Sequence, residues 1–142
     1  MNGIMFVMRA APLVVLLIAL MGCEASMLPV EGYVTLDGQP LEQGVIEFEP
    51  ADGNGPTSGG PIVNGRYELA GTARMPAGSK TVRIRAFRKT GKKIPPFPGS
   101  SERVDEMEQC VPKEYNDRST QKVTVEAGKK NVIDFDIKLK PR

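Results

Sequence analysis

Residues 30–50 read VEGYVTL-DG-QPLEQ-GVIEFEP, and this stretch decides the fold class. Val30–Leu36 alternates along a period of two, the spacing at which successive side chains point to opposite faces of a strand. It runs into Asp37-Gly38, a strong short hairpin signal, because a type I′ turn needs positive φ at both central residues. Gly44–Glu49 alternates in turn, with Ile46 and Phe48 on one face and Glu47 and Glu49 on the other, and Pro50 ends it.

Outward from this hairpin the rhythm repeats. Residues 51–61, ADGNGPTSGGP, read as a turn-rich loop. Ile62–Leu69 is a second hairpin signal with Asn64-Gly65 at its tip, and Met75–Ser79 is a further turn. Lys80–Arg88 puts Val82, Ile84 and Ala86 on one face and Thr81, Arg83, Arg85 and Phe87 on the other. Residues 89–119 break the pattern with Pro95, Pro96, Pro98 and Pro112, and are expected to form an irregular excursion with one helical turn near 102–109. Lys122–Glu126 resumes the ladder. Asn131–Leu139 closes it, with Ile133, Phe135, Ile137 and Leu139 inward and Asp134, Asp136 and Lys138 outward. The expectation is an all-β domain over 30–142, a seven-stranded antiparallel sandwich.

The first residues read differently. Residues 1–9 carry Arg9 and no acid, and residues 10–21 (AAPLVVLLIALM) are uncharged. Such a run has the length of a signal-peptide core and falls short of the roughly 20 residues a membrane span needs. It ends in Leu20-Met21-Gly22-Cys23, which resembles a bacterial lipobox, with Met21 where Ala, Ser or Thr is usual. The resemblance implies a signal peptide over 1–22, cleavage between Gly22 and Cys23, a diacylglycerol thioether on Cys23, and a tether over 23–29. An uncleaved signal anchor and plain secretion are the competing readings; the first would place Arg9 inside the span at a cost of about 2–3 kcal/mol. With Cys23 acylated, Cys110 has no intrachain partner, and it reads as a small buried or half-buried residue ahead of a reactive thiol.

The motif order also resembles carboxypeptidase-regulatory-like, transthyretin-like domains. Gly32–Leu41 followed by Gly44–Phe48 is similar to their opening strand pair, and Gly65-Arg66-Tyr67-Glu68-Leu69 to their G-x-Y-x-L strand. Pro76–Ile84 is similar to their P-x-G-x-Y-x-V turn and strand, with Lys80 where an aromatic is usual. Ile94-Pro95 and Pro112–Asn116 resemble a segment of a bacterial lipoprotein subgroup, here split by about 16 residues. The resemblance implies a prealbumin-like (Ig-like) sandwich, usually non-catalytic, and no particular ligand.

Composition narrows the function. The chain of 142 residues has no His and no Trp, two Cys, and a net charge of +2, with Gly (15) and Pro (12) together near a fifth of it. Zero His removes the commonest general base and zinc ligand. The charge balance gives no electrostatic case for nucleic acid. No catalytic constellation, metal set or cofactor motif emerges: Asp52-Gly53-Asn54 lacks the downstream carboxylate of a calcium loop, and Gly53–Gly60 has neither the Lys nor the helix of a phosphate loop. Arg83, Arg85, Arg88, Lys89, Lys92 and Lys93 form a basic run that is either a contact face for an anionic surface or glycan, or a set of bases paired with Asp134 and Asp136, or Glu47 and Glu49.

The resulting expectation is a non-catalytic lipoprotein of the bacterial cell envelope. It would be held on the outer face of a membrane through Cys23 and present loops 51–61 and 89–119, or a sheet edge, to envelope proteins or glycans. The alternative is a carbohydrate- or ion-binding accessory module beside a separate enzyme. Tyr33 is the tyrosine that alternation places clearly on an exposed face.

Overall fold

The computed structural model describes residues 26–140. The expectations for the signal peptide over 1–22, its cut after Gly22 and the lipid on Cys23 concern residues outside that range.

Every regular element longer than a single turn is a strand: β1 (Met27–Leu28), β2 (Val30–Leu36), β3 (Gln39–Pro40), β4 (Gln43–Pro50), β5 (Ser58–Val63), β6 (Arg66–Leu69), β7 (Met75–Pro76), β8 (Gly78–Arg85), β9 (Phe87–Ile94), β10 (Val104–Gln109), β11 (Lys122–Val125), β12 (Asn131–Val132) and β13 (Phe135–Ile137). The main sheet runs β11-β8-β4-β5-β6-β2-β12, and β3 and β13 also pair with β2. Alternation makes one face of this sheet apolar. The sheet curls so that Val34, Ile46, Phe48, Ile62, Tyr67, Leu69, Val82, Ile84 and Ile137 close on one another as a single buried cluster. The rings of Phe48 and Tyr67 meet across it at 6.0 Å between centroids. The result is an all-β, sandwich-like domain built mainly of antiparallel pairs.

The two hairpin signals behave as their residues require. Asp37 and Gly38 have φ of 50° and 80°, and Asn64 and Gly65 repeat those values. The register also fixes the two ends of the domain. Val30 pairs with Leu69, Phe48 with Ser58 and Pro50 with Lys80, which puts these residues at one end. Gln43 pairs with Val63 and Val45 with Arg85 at the other. The chain enters at the first end, where Met27–Leu28 pairs with Met75–Pro76. The last part of the expected tether is therefore already part of the fold.

Three expectations change. The loop over 51–61 ends early, because Ser58–Val63 is a strand against β4. Its glycines are there for space: a Cβ on Gly59 would sit 2.6 Å from the Ile46 carbonyl oxygen, and one on Gly60 2.8 Å from Leu69. The excursion over 89–119 contains a strand pair, since β9 and β10 pair antiparallel and residues 104–109 form a strand, not a helical turn. Finally, the closing segment is not antiparallel. Both β12 and β13 run parallel to β2, with Asn131 opposite Val30 and Phe135 opposite Val34.

That parallel closure depends on a close approach at the bend between β12 and β13. The Tyr67 hydroxyl donates to the Ile133 carbonyl at 2.6 Å, and the Ile133 amide donates to the Glu31 carbonyl at 2.9 Å. A Cβ on Gly32 would lie 1.9 Å from the same Ile133 oxygen. Gly32→Ala is expected to cost about 3 kcal/mol or more, because the obstruction is backbone and cannot rotate away. Tyr67→Phe, which only removes the donor, should cost about 1–3 kcal/mol. Denaturant unfolding of both variants checks the order; equal stability of Gly32→Ala and the parent chain would contradict the packing described.

Candidate functional site

The six bases of the sequence do not gather on one face. Arg83 and Arg85 lie on the outer side of β8, where the neighbouring β4 offers Glu47 and Glu49. Arg83 donates to Glu49, with its Nη2 at 2.9 Å, and Arg85 pairs with Glu47 and with Asp117 at 3.5 Å. Glu47 and the Asp117 carboxylate hold the Arg85 guanidinium above its ordinary pKa, the hydrogen bond to Glu47 being the largest cause. Asp134 and Asp136, the other candidates for these arginines, are engaged elsewhere. Asp134 accepts the Tyr33 amide, and Asp136 accepts the Thr35 hydroxyl and pairs with Lys138.

The other four bases belong to the β9–β10 hairpin. Arg88 pairs with Glu108 at 2.8 Å, as expected for directly opposite residues. Lys89 and Lys93 both reach Asp105, each at 2.7 Å. One carboxylate serves two lysines because the register shifts between Asp105 and Met107, which gathers the two bases toward it. Hydrogen bonds from Lys89 and then Lys93 hold the Asp105 carboxyl down to about 2. Thr90 donates to Glu106 at 2.6 Å. Among the described residues, Lys92 alone of the six has no ion-pair partner.

With three of its four bases paired internally, the hairpin also exposes apolar side chains. Phe87, Ile94, Val104 and Met107 are exposed, Ile94 stands directly opposite Val104, and Phe97 at the tip is 63% exposed between Pro96 and Pro98. Isolated two-stranded ribbons are marginal in water, so such residues gain most when something covers them. At its base, the hairpin and the end of the sandwich enclose an apolar groove of about 500 Å³ lined by Leu36, Pro40, Leu41, Phe87, Met107 and Cys110. Cys110 is half-buried there, and its thiol donates to the Ala86 carbonyl at 3.3 Å. Burial pushes that thiol's pKa up, away from the thiolate a nucleophile needs.

The two polar loops singled out in the sequence do different things. Asp52 accepts the Asn54 amide at 3.0 Å, the turn geometry its spacing suggests. Pro112–Asn116 brings the chain back to the domain: Asn116 is buried and donates to the Val111 carbonyl at 2.7 Å. Tyr33 is exposed on β2 opposite Arg66, while Tyr67 is buried and Tyr115 half-buried. No group of three or more His, Cys, Asp or Glu among the described residues could hold a metal ion. No helix among them is long and apolar enough to cross a membrane.

Set beside known proteins, the chain matches no family model, and no curated protein or solved structure matches it.

The Asp105 clamp gives a measurable titration. A carboxylate with a depressed folded pKa stabilises the structure above its unfolded pKa, near 4, and that contribution fades as pH falls through about 2. Carboxyl-carbon NMR should place the Asp105 midpoint near 2, moving towards the ordinary value in Lys89→Met/Lys93→Met. An ordinary midpoint in the parent chain would show the clamp is not formed.

Proposed function

We propose that this protein is a non-catalytic lipoprotein of the bacterial cell envelope, attached to the outer face of a membrane through a lipid on Cys23, and that it offers the β9–β10 hairpin to an envelope protein. In this reading β2, β4, β5, β6, β8, β11 and the β12/β13 segment correspond to the seven strands of a transthyretin-like, prealbumin-like sandwich. The observation that carries the proposal is the opposition of the two ends. The chain enters beside Met75–Pro76, and the hairpin leaves from the far end of β8, beyond Arg85. Cys23 stands four residues before Met27, a reach of at most about 14 Å. A lipid there holds the first end at the membrane and turns the hairpin, with its exposed apolar residues, away from it.

Further support comes from the chemistry of the chain. There is no His, and Cys110 is half-buried with a raised pKa, which leaves little for hydrolytic or nucleophilic work. The test is the intact mass of the protein from its native membrane fraction beside Cys23→Ala. A chain beginning at residue 23 with two or three acyl groups, lost in the variant, is the expected result. Retention of residues 1–22, or an unmodified chain cut elsewhere, would overturn the lipid anchor.

A further inference from the structure

Lys80 departs from the rule that lysines stay in water. It occupies an inward position of β8, on the face of Val82 and Ile84, between Pro50 of β4 and Val123 of β11. The residue is 3% exposed. The long apolar stem takes up that burial, and among the described residues no carboxylate lies within ion-pair distance of the ammonium. Among the described residues no buried side-chain nitrogen lacks a partner, so the unpaired Lys80 ammonium reaches solvent and is not sealed in the core. Lys80 also lines an open cavity of about 480 Å³, with Pro50, Asp52, Asn54, Pro76 and Ser79, at the end of the domain where the chain enters. That volume lies within the ordinary range for small-molecule sites.

We propose that this cavity binds a small carboxylate, with the Lys80 ammonium as its counter-charge. The inference is independent of lipid attachment. A carboxylate supplies the single negative charge that Lys80 lacks, and the apolar stem of Lys80 keeps its packing beside Val82. Asp52 sets the charge of the ligand. It also lines the cavity, engaged with the Asn54 amide and outside ion-pair distance of Lys80. A cavity lined by one basic and one acidic residue favours a monoanion over a dianion, because a second negative charge adds repulsion from Asp52.

The experiment is a titration of the full chain, purified in non-ionic detergent, with sodium acetate and then inorganic phosphate at constant ionic strength, followed by amide NMR. Acetate is expected to shift the Asn54 and Ser79 amides saturably, and phosphate more weakly. Lys80→Met keeps the apolar stem and should weaken the acetate response at least about tenfold. Asp52→Asn leaves Lys80 in place and should tighten both anions, phosphate the more. A parent chain with no saturable response to acetate, an unchanged response in Lys80→Met, or no gain in Asp52→Asn would each overturn the site.

Discussion

The carbonyl of Ile133 is the point on which the domain closes. It belongs to the last segment of the chain, yet it is gripped by a hydroxyl from β6 and lies over the bare Cα of Gly32 in β2. Any side chain at residue 32 would push the segment off the sheet. Without that segment β2 would lose both parallel partners, and Phe135 and Ile137 would leave the core. The Tyr67 ring that delivers the hydroxyl also meets Phe48 from the opposite side of the cluster. One buried phenol therefore joins the closing strand to the middle of the core, and burial raises its pKa accordingly.

Much of this was legible in the sequence because period-two alternation reports directly on burial. Val30–Leu36, Gly44–Glu49, Val82–Ala86 and Phe135–Ile137 face where their spacing says, and the Asp-Gly and Asn-Gly turns form where written. Strand direction is a different matter. Alternation is the same whether a strand runs parallel or antiparallel, so the pairing of β12 and β13 with β2 could not be read from residue pattern. In β5, Gly59, Gly60 and Pro61 look like loop chemistry, although the glycines are there to let β4 and Leu69 come close. In the hairpin, the register shift beside Asp105 breaks the period, and charges paired across the strands mask what alternation remains.

The candidate sites divide in the same way. The basic run stood out in sequence, but its residues mostly neutralise acids that are distant in the chain, and pairing of that kind emerges only once the register is fixed. The apolar surface of the hairpin was less visible, because Phe87, Ile94, Phe97 and Met107 are scattered among lysines and prolines. Lys80 carried a signal from the start as a base where the resembling domains carry an aromatic. Its inward position turns that oddity into a buried stem with an unpaired charge, in a residue that lines a cavity.

The proposed function would give the two ends of one small domain opposite tasks, attachment at the end where the chain enters and recognition at the hairpin. The most direct measurement is photocrosslinking in intact cells from two positions of the full-length chain, Phe97 at the hairpin tip and the exposed Thr72 near the chain entry. The account predicts a discrete protein adduct from position 97 and none from position 72. A protein adduct from position 72 with none from position 97 would contradict it.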